Sequence, residues 1–106
     1  MKHTKSMIYR PSAESEELLL YTRNTSRIYY NHTLPVLDNL RKKLEKGVYD
    51  PEKAVDLWYY VTTAAAKMYD REFSGMYQTT FTVTDRYTAA VEMERYYHEE
   101  MLLETA

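Results

Sequence analysis

The seven residues Lys46-Gly47-Val48-Tyr49-Asp50-Pro51-Glu52 end one helix and begin another, which divides the chain into units that must pack against each other. Gly47 is the residue type that accepts the left-handed conformation just past a helix C-terminus. Asp50-Pro51-Glu52 supplies an N-cap acceptor, a proline at the first helical position and an acid in the first turn. A turn this short between two helices makes them neighbours, so the punctuation predicts a bundle of packed helices.

Periodicity fills in the rest. Asn24-Thr25-Ser26 offers N-cap candidates for a first helix reaching Lys46, and a helical wheel puts Tyr30, Thr33, Leu37, Leu40 and Leu44 on one face. Pro35 falls on the opposite side, where it bends a helix around its core. Ile28 points away from that stripe and needs an apolar cover, for which Leu18-Leu19-Leu20 is the candidate. The second helix, Pro51 to Phe73, carries Ala54, Leu57, Trp58, Val61, Ala65, Met68 and Tyr69 on a broad stripe and stops at Ser74-Gly75. Met76 to Phe81 reads as a loop. A third helix starts near Thr82 or Thr84 and runs over 83–104, with Val83, Tyr87, Ala90, Met93, Tyr97 and Met101 inward. The segment 14–21 is too short to assign by periodicity. The expected fold is therefore all-α, a compact three-helix bundle with a kinked first helix, formed by residues 15–106 as one domain behind a mobile basic arm at 1–14.

A chain of 106 residues buries enough surface for a single core without staples. It has no cysteine, which excludes disulfides, thiol catalysis and cysteine-ligated metal sites. No long apolar run follows the basic N-terminus, so the sequence predicts neither a signal peptide nor a membrane span. The net charge of −2 is unevenly spread, about +3 over residues 1–53 and −5 over 54–106. Twelve tyrosines accompany only two phenylalanines and one tryptophan. Such rings bury a face while keeping the hydroxyl hydrogen-bonded, which suits either the rim of a small core or a protein contact surface.

Chemistry is sparsely represented. Glu72 and Glu94 fall on the apolar faces of their helices, where an unpaired acid is costly. His98 lies one turn beyond Glu94, and the pair is the one acid-histidine candidate for metal binding or proton transfer. The residue three before His98 is Arg95, so the spacing of di-metal bundles is missing. His3 and His32 lie in unrelated contexts. The structural alternative pairs Glu72 with Arg86 and gives Glu94 tyrosine hydroxyls or a partner on the first helix. With two glycines in the chain there is no phosphate loop, and no serine sits in a nucleophile turn. The sequence thus predicts no catalytic residue, no metal and no cofactor.

Two surfaces remain as binding candidates. Arg41, Lys42, Lys43 and Lys46, joined by Arg23 and Arg27, form a basic cluster able to hold phosphate, although cations at a helix C-terminus also complement its dipole. On the third helix Glu92, Glu99 and Glu104 face outward with Tyr96 and Leu103. Tyr59, Tyr60 and Tyr96 sit at the margins of the buried stripes, and with Glu92 and Glu99 they make an acidic, aromatic surface suited to a protein partner.

The set Pro35, Asn39-Leu40, Lys46-Gly47, Tyr49-Asp50, Ala54, Leu57-Trp58, Tyr60, Ala65, Tyr69, Glu72-Phe73, Phe81, Arg86 and Glu92 or Glu94 resembles a group of short bacteriophage and prophage proteins of unknown function. The resemblance spans about residues 35–94 and leaves out the basic arm. It implies a mobile-element origin and a setting in the host cytoplasm, and it brings no catalytic residue or ligand. The expected role is a non-enzymatic protein that binds a host protein, as an inhibitor of a defence system of the CRISPR-Cas kind does. The alternatives are a small nucleic-acid-binding or transcription accessory protein using the basic cluster, and a homo-oligomeric structural helper.

Overall fold

The computed structural model describes residues 11–73 and 81–105, and within them every regular element is helical. Four helices are present among these residues rather than three: α1 (Ala13–Asn24), α2, α3 (Pro51–Glu72) and α4 (Val83–Thr105). Helix α2 is continuous but changes pitch, passing from Ser26–Ile28 through a π-helical turn, Tyr29–Thr33, into Leu34–Lys46. Helix α1 begins at Ala13, so the last two residues of the span 1–14 expected as an arm are helical. Residues 1–10 and the Ser74-Gly75 and 76–80 expectations lie outside the described residues.

Helix α1 is the element that periodicity does not assign. Ser12 caps it by accepting from the Ser15 amide at 3.1 Å, while the Ser15 hydroxyl oxygen accepts from the Ser12 amide at 2.8 Å. This is a capping box in which serine replaces the usual Glu or Gln. Glu14 and Glu16 add negative charge to the first turn. The helix ends where the Thr25 hydroxyl donates back to the Tyr21 carbonyl at 2.6 Å, so Thr25, one of the three N-cap candidates, stands at the N-cap of α2 as expected but directs its side chain to closing α1.

The π turn corrects the face assigned to α2. Ile28 is fully buried, as are Thr33, Leu37 and Leu40, whereas Tyr30 is 65 % exposed. The Leu34 amide donates to the Tyr29 carbonyl five residues back, so one extra residue occupies the turn and Ile28 and Thr33 come onto the same side. A uniform 3.6-residue wheel cannot produce that. Pro35, in the first turn after the π segment, has no amide to donate and crowds the carbonyl four residues before it. The widened turn falls where the chain meets that conflict. Ile28 and Leu18 belong to one buried cluster, in keeping with the cover expected from the leucine run.

The expected punctuation is present. Gly47 adopts φ 74° and ψ 23°, and its amide and that of Val48 donate to Leu44 and Lys43 at 3.1 and 2.9 Å, a Schellman closure. Asp50 caps α3 through the Glu52 amide at 3.0 Å. Thr82 and Asp85 exchange side-chain to backbone hydrogen bonds at 3.0 Å each at the start of α4.

Helices α3 and α4 form the central pair. Trp58, fully buried, stacks on Tyr97 with ring centroids 5.0 Å apart, and Tyr69 meets Phe81 at 4.9 Å, so the two run in opposite directions. Small residues, Thr62, Ala65 and Ala66 against Ala89 and Ala90, are all buried along them and let the axes approach closely. The Thr62 hydroxyl comes within 3.0 Å of the Arg86 carbonyl across this seam. Val83, expected inward, is exposed at the first turn of α4. Helix α1 lies along α4 in the same direction, with Ser12 beside Asp85 and Arg23 over Tyr96, and also packs on the end of α3.

Candidate interaction surface

Glu94 resolves as a hydrogen-bonded buried acid. It is 7 % exposed; one carboxylate oxygen accepts from the Tyr49 hydroxyl at 2.8 Å and the other lies 3.3 Å from His98 Nδ1. The Tyr49 ring stacks on the His98 imidazole, centroids 4.4 Å apart. Burial pushes the Glu94 carboxyl above its ordinary value, opposed by the Tyr49 hydrogen bond and by His98. Burial first and the Glu94 carboxylate second raise Tyr49 strongly. The tyrosine hydroxyl expected for Glu94 is thus supplied by the short α2–α3 connection. Among the described residues no group of three or more histidines and carboxylates gathers around a possible metal position.

Glu72 departs from expectation. It is exposed and accepts from the Tyr21 hydroxyl at 2.7 Å; Arg86 instead sits 5.7 Å from the Tyr59 ring. The reason is α1, unassigned from sequence, which brings Tyr21 to the end of α3.

The basic cluster does not assemble as one surface. Arg41 makes a two-pronged contact with Glu104, Nε and Nη2 at 3.0 and 3.1 Å, and lies 3.7 Å from Asp38. Lys42 and Lys46 are exposed and Lys43 half-buried in the closing turns of α2. Arg23 is held over the Tyr96 ring at 4.1 Å. Arg27 lines an open groove of about 440 Å³ with Tyr21, Thr25, Met68, Arg71 and Glu72. The cations therefore have separate neighbours, Arg41 at Glu104, Arg23 on Tyr96 and Arg27 in the groove at the end of α3.

Of the five acidic and aromatic positions, the structure brings three together. Glu92, Tyr96 and Glu99 are spaced by four and three residues, and Leu103 continues the series, so they share one stripe of α4. Tyr96 is 41 % and Leu103 68 % exposed, and Glu99 is exposed. Arg23 from α1 covers one side of the Tyr96 ring, and Tyr97 meets it edge-on at 4.9 Å. Leu20 of α1, also exposed, lines a notch with Glu92, so α1 and α4 present one continuous surface. Tyr59 and Tyr60 are not part of it. Tyr59 lies beside Arg86, ten residues and about 15 Å of helix before Tyr96, and Tyr60 is 76 % exposed on α3. Leu20 and Arg23 are the contributors that the acidic, aromatic reading missed, because their position depends on α1.

Among the described residues no helix is long and apolar enough to cross a membrane. No family model matches the chain, and neither a curated protein nor a solved structure does.

Proposed function

We propose that this chain is a non-enzymatic protein of phage or mobile-element origin that acts by binding a host protein in the cytoplasm, in the manner of an inhibitor of a CRISPR-Cas type defence complex. The observation that carries the binding role is the α1–α4 surface, where an exposed tyrosine is held in place by an arginine and a second tyrosine. A large amphipathic ring that is already ordered loses little freedom on binding, and tyrosine and arginine are the side chains around which interface energy concentrates. The phage setting draws on the sequence resemblance over residues 35–94.

Nucleic-acid binding by Arg23, Arg27, Arg41, Lys42, Lys43 and Lys46 has less to draw on, since Arg41 is engaged by Glu104 and Arg23 by Tyr96. A homo-oligomeric helper role would use the same exposed tyrosines and leucines for a second copy.

The experiment is capture of a bacterial partner at high salt by the intact protein and by two variants. Tyr96→Ala should lose the partner while melting like the parent; Arg41→Glu with Lys42→Glu should keep it. The reverse pattern, together with binding that falls steeply with salt, would replace this reading by the nucleic-acid one. Expression of the chain in a phage-restricting strain should raise plating efficiency, and Tyr96→Ala should abolish the rise.

A further inference from the structure

Pro11, Ser15, Glu16, Leu19 and Leu20 line one side of a notch of about 260 Å³ along α1, with Glu92 of α4 opposite. Glu92 is engaged with Arg95, 3.7 Å away, and the Ser15 hydroxyl is committed to the capping box. What the notch offers to an occupant is therefore the α1 side: the exposed Leu20, the half-buried Leu19 and the exposed Glu16. Glu14, in the same first turn, adds a second exposed acid.

We propose that the occupant is the chain's own segment 1–10, a strap that folds back along α1 and screens Leu20 until a partner displaces it. The screening role rests on the α1–α4 surface being the partner face; the seat itself does not. The first argument is covalent. The lip of the notch is Pro11, the residue to which the segment is joined, and a short tether presents its free part at an effective concentration on the order of millimolar. A seat too weak to hold a separate peptide is still filled from within the chain. The second argument is chemical. Residues 1–10 carry Lys2, Lys5 and Arg10 with no acid, and they hold the apolar run Met7-Ile8-Tyr9. The cations answer Glu14 and Glu16, and the apolar run answers Leu19 and Leu20, whose surface is removed from water on contact. The third argument is length. Extended chain carries Met7 up to about 14 Å from Pro11, and Leu19 and Leu20 lie about 12–14 Å from Pro11 at the helical rise. Arg23, held over Tyr96 one turn past Leu20, repels a basic segment and sets where the strap stops, so Tyr96 stays open.

The absence of cysteine makes the test direct, because Thr4→Cys in the full chain takes a single nitroxide label. Amide line broadening is expected to be strongest at Glu16, Leu19 and Leu20 at low salt, and unchanged on tenfold dilution. Lys5→Glu with Ile8→Ser should cut that broadening at least twofold, and so should Glu16→Lys, an exposed change whose side chain takes no part in the capping box. Even broadening on all sides of Pro11, broadening strongest on another face, or indifference to both sets of substitutions would overturn the proposal. Broadening that disappears on dilution would overturn it too, by assigning the notch to a second copy of the chain. The two readings fail separately: an unbroadened notch removes the strap and leaves the partner surface standing, whereas retention of the partner by Tyr96→Ala removes that surface and leaves the broadening pattern in place.

Discussion

Tyr21 and Tyr69 meet edge to face with ring centroids 5.1 Å apart, and each donates its hydroxyl to a glutamate on the other's helix, Tyr21 to Glu72 and Tyr69 to Glu17. The reciprocal exchange fastens α1 to the end of α3. Burial, reinforced by Glu72, pushes the Tyr21 hydroxyl up to about 12. A raised value means the folded state holds the proton more tightly than the unfolded chain. The associated stability is intact below pH 10, the ordinary tyrosine value, and is lost as pH rises through the folded value. The protein should accordingly lose stability progressively between about pH 10 and about pH 12, with the loss reduced in Tyr21→Phe. Denaturant melts across this range, paired with tyrosinate absorbance, measure it; an unchanged slope in Tyr21→Phe would assign the loss to other groups.

Glu94 titrates with the same sign at lower pH. Its carboxyl is held above the ordinary value by burial, so its contribution is present below the unfolded carboxylate value and is lost as pH rises through the folded one. Glu94→Gln keeps an oxygen to accept from Tyr49 and carries no charge. The variant should therefore match or exceed the parent on the neutral side of the transition and show a flatter stability profile through the acidic range. A profile parallel to that of the parent would mean that His98 fully compensates the buried charge.

Trp58 and Asp50 separate core from cap. Trp58 is fully buried and stacked on Tyr97, so Trp58→Ala should cost about 3–5 kcal/mol. Asp50→Ala removes one capping hydrogen bond and should cost about 1 kcal/mol. Trp58→Phe should fall well short of the alanine variant, because the indole nitrogen is buried without a hydrogen-bond partner and nothing polar is lost. Chemical denaturation of the three variants ranks them directly.

Tyr30 and Ile28 report on the π turn. Tyr30→Ala changes an exposed ring and should shift stability by no more than about 0.5 kcal/mol. Ile28→Ala empties a fully buried site and should cost about 2–5 kcal/mol. The opposite order is what an uninterrupted 3.6-residue helix demands, so the same two variants distinguish the two registers by thermal melting.

Much of the fold was legible because its boundaries are chemical. Gly47, Asp50-Pro51 and Thr82 carry conformations and hydrogen bonds that few other residues supply, and each acts within a few positions of itself. Helix α1 was hidden for two physical reasons. Its capping box uses Ser15 where Glu or Gln is the readable signal, and Leu18-Leu19-Leu20 has no helical period. That single gap propagated: without α1, neither the Tyr21 partner of Glu72 nor the union of Leu20 and Arg23 with Tyr96 is visible. The buried state of Glu94 was readable from the wheel, whereas Tyr49 as its donor was not, since a connection residue's direction depends on how the adjoining helices cross. The five-residue step from Ile28 to Thr33 exceeds any regular wheel.

Helix α1 is the first of the described helices to be synthesised, yet its side-chain partners come late. Glu17 waits for Tyr69, 52 residues on, and Ser12 for Asp85, 73 residues on. Until α4 has left the ribosome the helix has only the end of α3 to pack on, and the side that lies along α4 is open to whatever else is at hand. A nascent chain stalled before residue 80 should therefore be sticky and protease-sensitive over residues 13–24, and release of the remainder should protect that stretch.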